Sequence, residues 1–431
     1  MTELHEGSDF AVGTSKPRLL GILGPGLITG ASDDDPSGIA TYSQAGAQFG
    51  YALSWTMVLT YPMMVAVQEI SAFVGRTTGH GIAGNLRRHY PSWILRVGVA
   101  LLLIANVINL GADLGAMGDS VRMLFGGPPL AYVVAFGLGS GLLQIFMRYS
   151  RYVAVLKWTT ISLFAYFGTV FMVHAPWGEV ARGVFIPSIS LDKDFITTFV
   201  ALLGTTISPY LFFWQSSEEA EDERVIPERQ PLIDAPEQAP AAMRRIRLDT
   251  YVGMAFSNLV ALAIMITTAA TLHVHHVTDI ETSSQAAEAL RPLAGNAAFA
   301  IFAVGIIGTG LLAVPVLAGS AAYAVGEALK WPVGLGRKPM EAKAFYGTLA
   351  IATALGTALN FTPLDPIRAL FWSAVVNGVL AVPILVMIMY VASNKRVMGR
   401  FAISRPLKIL GWITTFVMAL AAIGMIVTSV I

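Results

Sequence analysis

Three consecutive carboxylates, Asp33, Asp34 and Asp35, interrupt a segment that otherwise has the composition of a membrane-spanning helix. Residues 19–31, which precede them, are almost entirely apolar. An aspartate at the centre of a membrane helix costs about 2.5–3.5 kcal/mol, so such residues usually face a polar cavity and have a function. Pro36 follows directly and lacks an amide donor, so the helix should break there. The break would leave carbonyl oxygens without helical partners beside the carboxylates, and this group of oxygen atoms predicts a cation site.

A second helix break is predicted between Gly204 and Pro209, in the middle of the apolar residues 195–217. Proline there removes one helical hydrogen bond and blocks another, which frees carbonyl groups. The two breaks fall in the first and sixth predicted spans, and these correspond under a five-plus-five inverted repeat. Paired broken helices at such positions indicate the substrate site of a transporter.

The composition is typical of a polytopic membrane protein. The chain has 431 residues, of which 55% are hydrophobic and 13% charged, and its mean hydropathy is +0.64. A net charge of +1 gives no reason to expect nucleic acid as a partner. The absence of cysteine excludes disulfides, thiolate metal sites and thiol nucleophiles. We find no nucleophile–base arrangement, phosphate-binding loop or metalloprotease helix, and we therefore predict neither an enzyme nor a bound cofactor.

Apolar runs of spanning length recur about eleven times along the chain. With the N-terminus in the cytoplasm, 23 of the 28 basic residues fall on the cytoplasmic side or at its helix ends. We therefore expect a multi-pass protein of the cell membrane with a cytoplasmic N-terminus. The predicted divisions are a cytoplasmic tail (1–18), a first five-helix repeat (19–174), a second five-helix repeat (195–393) and an eleventh helix (405–431).

The second repeat contains one segment, residues 218–248, that is charged and rich in proline. Such a composition buries too little apolar surface to fold by itself. We therefore predict a cytoplasmic loop that is partly disordered.

Several motifs along the chain resemble the Nramp (natural resistance-associated macrophage protein) divalent-metal transporters. They are Gly24-Pro25-Gly26, the run from Asp33 to Tyr51, Ser71–Gly75, and Ser393–Gly399. The likeness covers nearly the whole chain. It implies an all-α, LeuT-like fold of two inverted five-helix repeats plus an eleventh transmembrane helix. In that family the first helix breaks at Asp-Pro-Gly-Asn and the sixth at Met-Pro-His.

The resemblance also implies the residues of the metal site. Asp35 matches the metal-binding aspartate of the family, whereas Gly38 stands where the family has its metal-binding asparagine. Thr205 stands where the family uses an alanine whose carbonyl can bind metal. Ser208 replaces the methionine, and Tyr210 replaces the histidine.

The residues that conduct protons in the family are also altered. Gln215 stands where a second histidine often occurs, and Asn106 and Asn109 replace the acids of an Asp-x-x-Glu motif in the third helix. Neutral side chains cannot relay protons as acids and imidazoles do, so we predict transport without proton coupling. A proton route through Asp33, Asp34 or Asp113, in place of the altered residues, remains an open alternative. The membrane potential alone supplies about 4.6 kcal/mol per 100 mV to a divalent ion.

The lost ligands favour a hard cation. A thioether selects transition metals over Mg²⁺ and Ca²⁺, and Ser208 removes it. Mg²⁺ keeps several of its waters and is commonly held through one or two carboxylates. These changes match the Nramp-related magnesium transporter branch, so we predict uptake of largely hydrated Mg²⁺, and also of Mn²⁺, by alternating access.

The predicted metal site also includes Asp33, Asp34, Tyr210 and Asn377. Asp33 and Asp34 have four open roles: direct coordination, raising the local cation concentration, hydrogen bonding to retained waters, or capping of the second half-helix. Asn377 lies near a polar position of the family in the tenth span. We expect a monomer in the lipid bilayer.

Two alternatives remain open at this stage. One is proton-coupled uptake of Mn²⁺ or Fe²⁺, as in the parent family, against which the missing methionine, asparagine and histidines argue. The other is a membrane sensor or scaffold that has lost transport, against which the retained breaks at Asp35-Pro36 and Ser208-Pro209 argue.

Overall fold

The structure is a computed structural model that describes residues 29–30, 32–146, 163–173, 175–226, 228–363 and 365–430. The motif Gly24-Pro25-Gly26, the start of the first predicted span and much of the fifth lie outside these residues. The described residues form helices and connecting turns, with no strand among them.

The first half of the chain contains seven described helices. They are α1 (Pro36–Phe49), α2 (Trp55–Thr78), α3 (Ile82–His89), α4 (Ser92–Phe125), α5 (Pro129–Phe146), α6 (Phe164–Met172) and α7 (Trp177–Phe185). The second half contains ten: α8 (Lys193–Thr206), α9 (Pro209–Val225), α10 (Ala239–Thr271), α11 (Ser283–Glu288), α12 (Arg291–Ala294), α13 (Ala298–Leu329), α14 (Lys343–Leu359), α15 (Pro366–Ser393), α16 (Lys395–Met398) and α17 (Arg405–Val430). Short 3₁₀ turns cover Pro236–Gln238, His273–His275, Gly295–Ala297 and Gly399–Phe401.

Eight helical segments of the described chain are long and apolar enough to cross a membrane. Of the other three predicted spans, the first and fifth lie partly outside the described residues, and the ninth corresponds to the 17-residue helix α14. The chain is thus a multi-pass membrane protein.

Both predicted helix breaks are present. Residues 32–33 are helical, but Asp35 is extended (φ −67°, ψ 172°) and caps α1, which restarts at Pro36. The second break separates α8 from α9, with Ser208 extended (φ −86°, ψ 134°) before Pro209. In each case proline occupies the first helical position, where a missing amide costs nothing.

Close helix packing brings the two breaks to the centre of the bundle. Helix α1 packs on α10, α8 on α15, and α4 on both α13 and α15. A Cβ atom at Gly204, near the end of α8, would overlap the carbonyl oxygen of Ala374 in α15. Small residues allow such approaches between membrane helices.

The predicted partly disordered loop at residues 218–248 is a point where the structure differs. Helix α9 continues to Val225 and α10 begins at Ala239, and the connection between them ends in the 3₁₀ turn Pro236–Gln238. The amide of Leu232 donates to the carbonyl of Arg76 at 3.2 Å, and Leu232 is fully buried. The prediction failed because composition does not reveal that α2 supplies partners for this connection.

Candidate metal centre

The break before α1 holds the carboxylate of Asp35 in a fixed position. One oxygen, Oδ1, accepts a hydrogen bond from the amide of Gly38 at 2.7 Å, which is the usual helix-capping arrangement. The other, Oδ2, accepts from Nδ2 of Asn109 at 2.9 Å and from the hydroxyl of Tyr210 at 3.3 Å. Asp35 is 2% exposed. Three elements, α1, α4 and α9, therefore converge on one carboxylate.

Asn109 is itself oriented by a polar chain that leads to α15. The hydroxyl of Ser373 donates to Oδ1 of Asn109 at 2.8 Å, and Ser37 lies 3.1 Å from Ser373, between hydroxyl oxygens. With its oxygen held by Ser373, the amide of Asn109 presents its nitrogen to Asp35. The sequence identified Asn109 as a lost acid but gave no sign that it contacts Asp35, 74 residues away.

The hydroxyl of Ser208 supplies hydrogen bonds to carbonyl groups at the second break. Its Oγ donates to the carbonyl oxygens of Gly204 at 2.7 Å and Thr205 at 2.9 Å. Thr205 lies four residues before Pro209, which has no amide to offer its carbonyl. The predicted carbonyl ligand of Thr205 thus already has a donor, and Ser208 faces the end of α8 with its hydroxyl.

Gly38 and Thr205, two of the departures from the Nramp pattern, pack against each other. A Cβ atom at Gly38 would lie 3.1 Å from Oγ1 of Thr205 and 3.1 Å from the carbonyl oxygen of Asp33. Both distances are tighter than ordinary van der Waals contact. The threonine hydroxyl therefore occupies space that a larger residue at position 38 would need.

Asp33 and Asp34 point to a different helix from Asp35. The hydroxyl of Ser257, in α10, lies 2.5 Å from Oδ2 of Asp33 and 3.3 Å from Oδ1 of Asp34. Oδ1 of Asp33 and Oδ2 of Asp34 are buried without a hydrogen-bond partner. The triplet is thus divided between two surroundings, and no pattern in the sequence indicates the contact with Ser257.

Tyr210 joins the two breaks, since its hydroxyl also lies 2.9 Å from the carbonyl oxygen of Ser32. Gln215, farther along α9, accepts from the hydroxyl of Thr29 at 2.5 Å. Asn377 is buried in α15, one turn after Ser373. Asn106 bonds to α13, where its Nδ2 donates to the carbonyl of Leu317 at 2.8 Å and to the hydroxyl of Ser320 at 2.7 Å.

The charge of this region is strongly one-sided. Asp33, Asp34 and Asp113 are 0% exposed, and Asp35 is 2% exposed. None of the ion pairs formed by the described residues includes any of these four. Buried carboxylates without a positive partner must hold protons or attract a cation. In the described part of the chain, no three acidic or histidine side chains already form a preorganised metal cage.

A cavity of about 490 Å³ approaches these residues along α1. Its lining includes Ala40 and Gln44 of α1, Thr197 of α8 and Phe371 of α15. Ala40 lies about one helical turn beyond Pro36. The cavity therefore ends close to the restarted helix.

Comparison with known proteins gives one family. The model of the natural resistance-associated macrophage protein-like (Nramp) family matches residues 26–428. A protein of Yersinia enterocolitica described as "Divalent metal cation transporter MntH" is 27% identical over 410 residues, which covers 92% of each chain. A Yersinia pestis protein of the same description is 28% identical over 321 residues, with 70% of this chain and 72% of that protein covered.

Solved structures have the same fold. A manganese transporter of Eremococcus coleocola has a TM-score of 0.73 at 17% identity, with 97% of this chain and 88% of that chain covered. Mhp1, a nucleobase-cation-symport-1 family transporter, has a TM-score of 0.58 at 14% identity, covering 94% of this chain and 93% of its own. These likenesses confirm the predicted all-α, LeuT-like fold with broken first and sixth helices. The family consists of transporters and not enzymes, as predicted. The match of the family model to residues 26–428 shows that the chain belongs to the Nramp family.

Proposed function

We propose that this protein transports divalent metal cations into the cell and that Asp35 is the carboxylate that binds them. The observation that carries the proposal is the pairing of two broken helices around Asp35, with the carboxylate fixed by α1, α4 and α9. A carboxylate has about four acceptor positions, and three donors reach Asp35. A cation therefore takes the remaining position or displaces Tyr210, which makes the longest of the three bonds.

Mg²⁺ is our preferred cargo, with Mn²⁺ also accepted. The side chains near the breaks offer oxygen atoms, and oxygen ligands suit Mg²⁺ and Mn²⁺. No thioether is available at position 208, and the Ser208 hydroxyl is already bonded to two carbonyls. A site with few direct protein ligands suits an ion that retains several waters. This assignment agrees with the Nramp-related magnesium transporter branch.

Transport by alternating access without proton coupling is the second part of the proposal. Asn109 contacts Asp35 where the resemblance places an acid of the family, and a side-chain amide does not ionise near neutral pH, so it cannot take up and release a transported proton. A membrane potential that is negative inside drives a divalent ion inward by about 4.6 kcal/mol per 100 mV. The cavity beside α1 then supplies the outer approach to the breaks.

The second candidate is proton-coupled uptake of Mn²⁺ or Fe²⁺. The description of one similar protein as a manganese transporter supports Mn²⁺ as the cargo. Asp33, Asp34 and Asp113 are buried acids that would serve as proton carriers in that case.

Purified protein in liposomes separates the two candidates. Mg²⁺, Mn²⁺ and Ca²⁺ are added outside while internal metal and internal pH are recorded with a negative inside potential. We expect Mg²⁺ and Mn²⁺ uptake that follows the potential, with no acidification. Mn²⁺ uptake with acidification and without Mg²⁺ flux would establish the second candidate instead.

A further inference from the structure

Asp113 is a buried acid to which the resemblance assigns no role. It lies in α4, one helical turn after Asn109, and is 0% exposed. Neither of its carboxylate oxygens has a hydrogen-bond partner. A buried charge with no partner is costly, and such a group is retained only where something compensates it.

The direction in which Asp113 faces follows from its neighbours on the helix. Residues four apart lie on the same face of an α-helix, so Asn109, Asp113 and Met117 form one stripe of α4. Asn109 contacts Asp35 at one end of this stripe. At the other end, Met117 lies close to Pro36. Both residues pack against Gly310 of α13, at the position where a larger residue would carry its Cβ atom. Asp113 therefore lies between two contacts with the start of α1.

Electrostatics agree with this position. The carboxylate of Asp113 lies within electrostatic range of Asp35, and neither of its oxygens makes a hydrogen bond with the Ser37 amide. Two acidic side chains are thus placed close to the helix break before α1. Two such charges balance a divalent cation, whereas Lys and Arg of the described chain form their ion pairs elsewhere.

We propose that Asp113 is the second carboxylate of the transported cation's site, facing Asp35 across the break before α1. This inference rests on the proposed function and adds to it a residue that the sequence analysis did not place in the metal site. Mg²⁺ is commonly held through one or two carboxylates while it keeps several waters, and the pair Asp35 and Asp113 supplies that number. Each carboxylate binds the ion directly or through one of its waters.

Metal binding to the purified full chain tests the inference. Mn²⁺ and Mg²⁺ affinities are measured by calorimetry, and the metal-induced rise in melting temperature is measured in parallel, for the wild type, Asp35→Asn, Asp113→Asn and Asp119→Asn. Asp119→Asn is the matched control, because it removes one charge from the same helix. The Asp119 carboxylate accepts a hydrogen bond from the hydroxyl of Ser283 in α11 at 2.7 Å. We expect Asp113→Asn to weaken binding at least tenfold and to keep or raise the metal-free melting temperature, since it removes an uncompensated charge. Asp119→Asn should bind like the wild type.

The outcomes distinguish this inference from the proposed function. Binding by Asp113→Asn within twofold of the wild type, together with loss in Asp35→Asn, would overturn the role of Asp113 alone. A wild type that neither binds nor transports divalent ions would overturn both proposals. If Asp113→Asn does not fold, wild-type crystals soaked in Mn²⁺ decide the matter by anomalous diffraction. A peak within direct or one-water distance of both carboxylates supports the inference, and a peak near Asp35 alone contradicts it.

Discussion

Replacing Ser208 by methionine tests whether the missing thioether sets the cation preference. In the structure the Ser208 hydroxyl donates to the carbonyls of Gly204 and Thr205 at 2.7 and 2.9 Å. Ser208 is 2% exposed, so its loss leaves buried acceptors without a donor. Ser208→Met and the matched control Ser208→Ala should each lower the free energy of unfolding by about 1–3 kcal/mol for this reason.

The two variants should differ in selectivity. A cation that binds the Thr205 carbonyl must first displace the Ser208 hydroxyl, at a net cost of about 1 kcal/mol. Both variants remove this cost and should bind any divalent cation about fivefold more tightly, because 1.4 kcal/mol corresponds to a factor of ten. Only methionine adds a soft ligand, so only Ser208→Met should gain a further factor of about ten or more for Mn²⁺ and Cd²⁺ over Mg²⁺.

Competitive uptake into liposomes measures these ratios directly. Mn²⁺ and Cd²⁺ flux are recorded with and without excess Mg²⁺ for the wild type and both variants. If Ser208→Met and Ser208→Ala show the same ratio of Mn²⁺ to Mg²⁺ uptake, the thioether does not determine selectivity and the reasoning fails.

Two further predictions follow from the packing of the breaks and from a histidine outside the spans. Gly38→Asn should lower the free energy of unfolding by about 1–3 kcal/mol, because its Cβ atom would make contacts of 3.1 Å. Adding Thr205→Ala should recover about 1 kcal/mol of this loss. Strictly additive effects of the two substitutions in thermal melting would contradict the contact. His80, in the connection between α2 and α3, has its pKa lowered to about 4 by burial and then by the charges of Arg88 and Arg224. Because the unfolded chain binds this proton more readily, the stabilising contribution of neutral His80 should be fully present above about pH 6.5 and decrease as pH falls towards 4. His80→Gln should therefore make the melting temperature less dependent on pH in that range. An unchanged pH profile in this variant would contradict the prediction.

The breaks themselves could be predicted from the sequence, whereas their partners could not. Proline has no amide, so Pro36 and Pro209 locate the interruptions from local chemistry alone. The likeness to the Nramp motifs then identifies Asp35. The contact between Asn109 and Asp35 depends on how α4 packs against α1, and no local pattern encodes that packing. The same holds for Ser257 beside Asp33.

Tertiary contacts add what the sequence did not show at two places. The Ser208 hydroxyl bonds to the carbonyls that the break releases, and its part in the metal site stays a prediction. Residues 218–248 are predicted to be partly disordered, but α9 and α10 extend into them and Arg76 anchors their connection. A highly charged composition predicts that a segment is solvated and disordered. Here buried ion pairs order the segment instead, such as the pair in which Nη1 of Arg76 lies 2.7 Å from Oε1 of Glu223.

The most direct test of the central claim is Mg²⁺ and Mn²⁺ uptake by Asp35→Asn in liposomes. Asparagine keeps the shape of the side chain and can still accept the Gly38 amide as a helix cap, so the fold should persist. Loss of a buried charge partner costs about 3–5 kcal/mol, and at 1.4 kcal/mol per factor of ten this predicts a reduction of at least about a hundredfold in cation affinity and loss of uptake. Uptake by Asp35→Asn equal to that of the wild type, in protein with an unchanged melting temperature, would show that the cation does not bind at this break.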